Sequence, residues 1–112
     1  MKVQPIILDS SCWIEYFLGT PLAKQYASKV KTSNVIVPAL CLFEVSRALL
    51  KRFEPEHVLT AVSVMQQCEV VALSEAVAVN AAQLAVNLNL SSADAIIYAT
   101  SLQRKALLYT HD

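Results

Sequence analysis

The chain has 112 residues, of which 55% are hydrophobic, and its nine basic and nine acidic side chains give a formal net charge of zero. This length and composition predict one compact domain over residues 1–112 with a continuous core. A neutral chain has no general attraction for an anionic polymer, so contact with nucleic acid requires a local patch. Gly19 is the only glycine, which excludes the glycine-rich loops that bind dinucleotides and nucleotide phosphates.

The apolar pattern predicts strands that alternate with pairs of helices. Pro21 suits the first turn of a helix, another helix follows Pro38, and Pro55 opens a further one. Asp9 and Ser10 are suited to cap the helix that follows the first strand, and Ser74 is suited to cap the helix that follows the third. The predicted strands occupy residues 3–8, 34–37, 69–73 and 106–110, with two helices between each successive pair.

This order predicts an α/β protein in which a parallel sheet of about four strands is covered by helices on both faces. Ligand sites in such sheets form at the carboxyl ends of the strands, where the strand order reverses. Asp9 follows the first predicted strand and Asp112 follows the last. We therefore expect these two carboxylates to lie at the same edge of the sheet.

The sequence predicts a cytoplasmic location. Residues 76–93 are uncharged but contain too many Asn, Gln and Ser residues for a membrane span, and the first residues lack the long apolar core of a secretory signal. Cys12, Cys41 and Cys68 are far apart in apolar sequence without metal-ligand spacing, which is typical of reduced core cysteines in a cytosolic protein.

Asp94 is the only charged residue between Glu75 and Arg104. An ionised carboxylate in such an apolar stretch must be exposed, protonated or held beside positive charge, since its desolvation is costly. The pattern places Asp94 in the first turn of a helix that Ser91 and Ser92 can cap. Metal binding or catalysis is one explanation for its presence.

A third internal carboxylate, Glu44, is predicted on the polar side of the helix after Pro38. The apolar residues of that helix that are predicted to face the core are Leu42, Val45, Leu49 and Phe53. If Asp9, Glu44, Asp94 and Asp112 converge, their mutual repulsion calls for a cation. Oxygen ligands without a His or Cys set suit Mg²⁺, which typically takes one or two carboxylates together with substrate phosphate oxygens. Metal-assisted hydrolysis of a phosphodiester is the chemistry that this set indicates.

Each carboxylate also has a simpler explanation. Asp9 is explained as a helix cap, Asp94 as a favourable charge at a helix start, and Asp112 as a frayed terminus. Glu44 is explained by a solvated face with Arg47 and Lys51 on the same helix. The hydroxyl groups of Ser10, Ser11 and Thr110 lie near the predicted ligands, where they either orient water or cap helices, and His111 is placed to touch substrate.

Four short segments together resemble the PIN-domain ribonucleases, in particular the small VapC-like toxins of prokaryotic toxin-antitoxin pairs. These segments are ILDSS at 7–11, LFEV at 42–45, SADAIIYAT at 92–100 and LYTHD at 108–112. The resemblance covers nearly the whole chain. It implies a PIN-like three-layer fold and a Mg²⁺- or Mn²⁺-dependent endoribonuclease whose catalytic and metal-binding residues are Asp9, Glu44, Asp94 and Asp112.

The resemblance also implies an RNA substrate, a homodimer, and a cognate antitoxin that covers the acidic site. Family members usually continue beyond the position of Asp112, so we expect a domain truncated at its C-terminus or an unusually short protein. Two other functions stay open. A haloacid-dehalogenase-type phosphatase requires a second Asp at the position of Ser11, and a catalytically degenerate PIN scaffold would bind RNA or a protein partner without cleavage.

Overall fold

The computed structural model describes residues 4–111, and in this part of the chain strands and helices alternate as predicted. The strands are β1 Ile6–Leu8, β2 Val35–Pro38, β3 Glu69–Val71 and β4 Leu107–Tyr109. The helices are α1 Ser10–Leu18, α2 Ala23–Thr32, α3 Ala39–Leu50, α4 Pro55–Gln66, α5 Glu75–Leu88 and α6 Ser92–Arg104. The predicted order of elements is confirmed, although β1, β3 and β4 are shorter than predicted.

The four strands form one parallel sheet in the order β3-β2-β1-β4. The chain adds β2 and then β3 on one side of β1, and returns through α5 and α6 to place β4 on the other side. The strand order therefore reverses between β1 and β4, where a ligand crevice is expected in open α/β sheets. At this point the Asp9 backbone N–H donates to the Tyr109 carbonyl oxygen over 3.0 Å, so the ends of the two strands are held together.

Helices flank the sheet in a three-layer α/β arrangement, as predicted. Every residue of β1 and β2 is buried, while β3 and β4 at the edges are partly exposed. Trp13, Val45 and Met65 belong to the same buried cluster as the inner strands and come from α1, α3 and α4. This continuous core fixes the ends of the central strands, on which the candidate site depends.

Side-chain caps define the starts of three helices. Asp9, Ser74 and Ser91 each accept a hydrogen bond from a backbone N–H one turn into the helix that follows. Such a cap typically contributes about 1 kcal/mol. The predicted caps at these three positions are confirmed.

Helices α5 and α6 form a hairpin with a small apolar core of its own, made of Val77, Ala81, Ala95 and Ala99. The small alanine side chains let the two helix backbones approach closely. Asn89 ends α5 in a left-handed conformation with φ of 54°, which turns the chain towards α6. The hairpin thereby fixes the position of the first turn of α6, which carries Asp94.

Two local predictions were wrong. Phe53 was predicted in the core, but α3 ends at Leu50 and the Phe53 side chain is 42% exposed. Pro21 was predicted in the first turn of a helix, but it lies in a turn and α2 begins at Ala23. Within residues 4–111, no helix is long and apolar enough to cross a membrane.

Candidate functional site

Three of the four predicted carboxylates line one cavity of about 220 Å³ at the carboxyl edge of the sheet. Asp9 follows β1, Glu44 lies in α3 and Asp94 lies in the first turn of α6. We call this space the acidic cavity, and its lining residues are Asp9, Ser10, Ser11, Glu44, Asp94, Ile97 and His111. The fourth predicted carboxylate, Asp112, lies outside the residues that the structure describes.

Asp9 is fixed by the start of α1. Its Oδ1 accepts the Cys12 backbone N–H over 3.2 Å and also a hydrogen bond from the Ser11 hydroxyl. Asp9 is half-buried and its backbone has the extended conformation of an N-cap. Asp9 is therefore a helix cap, as the simpler explanation held, and the same carboxylate also lines the acidic cavity.

Glu44 is held by the residue next to Asp9. The Ser10 hydroxyl donates to Glu44 Oε1 over 2.6 Å, which joins the start of α1 to α3. A short hydrogen bond to an ionised acceptor is stronger than one between neutral groups. Glu44 makes no ion pair in the described part of the chain, so the simpler explanation for this residue, an ion pair with Arg47 or Lys51, has no support there.

Asp94 occupies the third position of α6 and is exposed. Its backbone N–H donates to the Ser91 hydroxyl over 3.2 Å, and its side chain borders the acidic cavity. The helix start favours a negative charge at this position. Exposure to solvent is how the structure accommodates this isolated carboxylate.

His111 connects the end of β4 to the first two helices. Its backbone N–H donates to the Ser11 hydroxyl over 3.2 Å, and its Nδ1 lies 3.0 Å from the Tyr26 hydroxyl. Its Nε2 lies 3.4 Å from a carboxylate oxygen of Glu15. The sequence placed His111 near substrate, but it gave no signal for the contacts with Glu15 and Tyr26, which depend on the folded packing of α1 and α2.

Thr110, predicted as a supporting residue, lies beside the acidic cavity and not in its lining. It lines a second and more apolar space of about 300 Å³, which shares Asp9, Asp94 and Ile97 with the acidic cavity. We call this space the flanking cleft, and its lining residues are Asp9, Leu88, Leu90, Asp94, Ile97, Tyr98, Leu108 and Thr110. The carboxylate site and an apolar surface are therefore contiguous.

Burial keeps the thiols of Cys12 and Cys41 protonated at neutral pH. Burial raises the pKa of Cys12 to about 11, and the charge on Asp9 adds to the rise. Burial likewise raises the pKa of Cys41 to about 12, with Glu44 and Asp9 adding to it. All three cysteines of the described chain are free thiols, in agreement with the prediction of reduced core residues.

The residues of the acidic cavity fit a hard divalent cation in one particular way. Among residues 4–111, no three His, Cys, Asp or Glu side chains are close enough together to hold an ion directly. Three carboxylates nevertheless share one cavity, and the hydrogen bonds to Asp9 and Glu44 each engage a single oxygen. This arrangement suits Mg²⁺, which keeps several waters and takes only one or two carboxylates.

Solved structures with the same fold include proteins of toxin-antitoxin systems. The chain is 23% identical to a protein in a toxin-antitoxin complex from Klebsiella pneumoniae, with a TM-score of 0.80 over 96% of this chain and 86% of that one. It is 16% identical to the sarcin-ricin loop cleaving toxin VapC20 of Mycobacterium tuberculosis, with a TM-score of 0.81 over 96% and 89% of the two chains.

A third structure, VapBC2 from Rickettsia felis bound to a DNA fragment from its promoter, is 12% identical, with a TM-score of 0.76 over 97% of this chain and 100% of that chain. These identities establish similarity of fold. No curated protein sequence matches the chain significantly. The sequence model of the PIN domain matches residues 6–112. Because that match spans nearly the whole chain, the protein belongs to the PIN domain family, whose members are generally nucleases that use divalent metal ions.

Proposed function

We propose that this protein is a Mg²⁺- or Mn²⁺-dependent endoribonuclease that hydrolyses RNA phosphodiesters. The observation that carries the proposal is the shared cavity of Asp9, Glu44 and Asp94 at the point where the strand order reverses. Family membership supplies the general chemistry, nucleic-acid hydrolysis. The three carboxylates and two serine hydroxyls of the lining support a hard cation, and Asp112, next to His111 in sequence, is proposed as the fourth carboxylate.

In this proposal, the residues of the cavity have distinct tasks. Asp9 and Asp94 would hold the cation with the help of water, and a bound cation would offset charge on the phosphate and make a bound water more acidic. Glu44 lines the same cavity and would be a further ligand or the base that removes a proton from the attacking water. A bond forms between the water oxygen and phosphorus, and the bond from phosphorus to the leaving ribose oxygen breaks.

The two consecutive serines support this arrangement by holding different carboxylates. The Ser10 hydroxyl donates to Glu44 and the Ser11 hydroxyl donates to Asp9. Each bond restricts the rotation of one carboxylate and leaves its other oxygen available. Such preorganisation reduces the entropy that must be lost when a cation and a phosphate bind.

We further propose that the protein is the toxin of a type II toxin-antitoxin pair, with a cognate antitoxin and a homodimer as its protein assemblies. Several large apolar side chains are exposed in the described chain, and this exposed apolar surface is the reason to expect contact with another protein chain. Those more than half exposed are Phe43, Leu50, Leu59, Leu73, Val79, Val86, Leu88 and Leu102. Sedimentation at micromolar concentration tests the dimer, and a monomer at high micromolar concentration would contradict it.

A catalytically degenerate PIN scaffold remains the second candidate. The observation that favours it is the absence, within residues 4–111, of three ligating side chains grouped closely enough to hold a metal ion. Such a scaffold would bind RNA or a protein partner at the same edge of the sheet without cleaving it.

The deciding experiment measures cleavage of labelled single-stranded RNA with Mg²⁺ or Mn²⁺, with and without a chelator. We expect metal-dependent cleavage that falls by about 100-fold or more in Glu44→Gln, as for loss of a transition-state stabilising group. Glu56→Gln is the matched control, since Glu56 lies in the first turn of α4, is exposed and does not line the acidic cavity. RNA binding without cleavage in either metal would favour the degenerate scaffold.

A further inference from the structure

The flanking cleft is the most specific feature of the described chain that the proposed reaction does not use. It opens beside the acidic cavity, with Asp9 and Asp94 common to both. Its other walls come from the end of α5, the face of α6 and the end of β4. A group bound in the cleft would therefore lie next to a phosphate held in the acidic cavity.

We propose that the flanking cleft binds one nucleobase of single-stranded RNA, adjacent to the phosphodiester that is cleaved. This inference rests on the proposed function and adds a specificity-determining subsite to it. The ligand is the base and not a phosphate, because the wall beyond the two boundary carboxylates is mainly apolar and includes no Lys or Arg side chain. A flat, uncharged group is the part of a nucleotide that suits such a wall.

The lining supplies the contacts that proteins use to hold unstacked bases. Tyr98 on α6 is half-buried and offers an aromatic ring on which a base can stack. Leu88 at the end of α5 and Leu90 in the turn that follows it provide apolar contact. The Thr110 hydroxyl, at the exposed end of β4, is a donor and acceptor for the edge of a base.

The size of the cleft favours a single base over a larger occupant. A volume of about 300 Å³ is at the lower limit of ordinary ligand pockets, too small for a helix of a protein partner. A larger apolar groove of about 470 Å³, lined by residues that include Phe17, Phe53 and Val64, shares no residue with the acidic cavity. Of these two spaces in the described chain, the flanking cleft is the one that combines the ring of Tyr98 with contact to the proposed catalytic carboxylates.

The experiment measures binding of short fluorescent single-stranded RNAs in which each base in turn is replaced by an abasic ribose. For the wild type, we expect one position at which loss of the base weakens binding about tenfold, as typical of the loss of a stacked base. Tyr98→Ala should bind the intact RNA about tenfold more weakly and lose that position dependence, because base and ring belong to one interaction. Tyr98→Phe should retain it.

Two further variants provide a second test of the cleft and a control. Leu88→Ala, at a side chain that is half exposed, should reduce the dependence without threatening the fold. Val86→Ala is the control, since Val86 is 82% exposed on the same helix and does not line the cleft. In cleavage assays Tyr98→Ala should raise KM about tenfold with kcat little changed, and shift the cleaved sequences in a mixed RNA pool.

The outcomes separate this inference from the nuclease proposal. Position-dependent binding by a protein that does not cleave would support the base site and overturn the hydrolytic function. Equal binding of all abasic RNAs, or the same position dependence in Tyr98→Ala and wild type, would overturn the base site. Loss of self-association in Tyr98→Ala, with RNA binding unchanged, would instead assign the cleft to contact with a second copy.

Discussion

Replacement of Asp94 by asparagine separates a metal-binding role from a purely structural one. The amide keeps the size of the side chain and leaves the Ser91 cap intact, but it removes the negative charge. Asp94 is exposed at the third position of α6, so its favourable interaction with the helix start is worth about 0.3–1 kcal/mol. This contribution is lost in Asp94→Asn whatever the function of the residue.

Repulsion acts in the opposite direction. Asp9 and Glu44 line the same cavity, and each like-charge pair costs up to about 1 kcal/mol in water at a separation of about 4 Å. The lost interaction with the helix start and the relieved repulsion between carboxylates are of similar size. We therefore expect the metal-free stability of Asp94→Asn to lie within about 1 kcal/mol of wild type.

Glu75→Gln provides a matched reference for the helix contribution. Glu75 is exposed in the first turn of α5, behind the serine cap Ser74, but it does not line the acidic cavity. It should lose about 0.3–1 kcal/mol without any compensating relief. Asp94→Asn should therefore be less destabilised than Glu75→Gln, and the difference should increase at low salt because screening is weaker there.

Added metal gives the larger and decisive signal. At a metal concentration ten times its Kd, binding stabilises the folded wild type by about 1.4 kcal/mol. For a domain of this size that gain raises Tm by roughly 4–8 °C. Thermal melts with Mg²⁺ or Mn²⁺ should show this rise in wild type and Glu75→Gln, but not in Asp94→Asn. A wild-type Tm that is unchanged by either metal at millimolar concentration would refute the role of Asp94 as a metal ligand. An equal rise in the Tm of Asp94→Asn would refute it as well.

Two further predictions concern stability. Tyr26→Phe removes the hydrogen bond to His111, and urea unfolding should show a loss of about 0.5–1.5 kcal/mol, whereas an unchanged midpoint would contradict the contact. The pKa of the Cys41 thiol is raised from 9.0 to about 12, so above pH 9 the unfolded state binds fewer protons than the folded state and stability falls with pH. The Cys41 thiol lowers the free energy of unfolding by about 1.4 kcal/mol per pH unit in this range. The free energy of unfolding in urea, plotted against pH between pH 9 and about pH 11, should therefore fall less steeply for Cys41→Ala than for wild type. Parallel plots for the two proteins would contradict the raised pKa of Cys41.

The fold was predictable because its signals are local. Short apolar runs, capping residues and prolines marked the strands and helices, and their alternation implied a parallel sheet. The same signals placed Asp9 at a strand end and Asp94 in a first turn, where the structure has them. Phe53 was misplaced because apolar spacing continued past the residue at which α3 ends.

The contacts within the candidate site were less predictable, because they join residues far apart in sequence. The bond from Ser10 to Glu44 spans 34 positions, and the contact between Tyr26 and His111 spans 85. No periodicity in the sequence reports such pairs. Glu44 in particular read as part of a solvated charged face, and only its resemblance to a family motif indicated a different role.

Asp9 shows why a structural explanation for a carboxylate does not exclude a functional one. Its Oδ1 accepts the Cys12 N–H and so caps α1, and the end of β1 places the same side chain at the acidic cavity. Where a helix begins directly after a strand, its capping residue lies at the carboxyl edge of the sheet. One side chain can then both cap the helix and line the cavity at that edge. Loss of stability on replacement by alanine would follow from the cap alone. An amide substitution keeps a capping oxygen and removes only the charge, so metal affinity, and not stability, is the quantity that distinguishes the two roles.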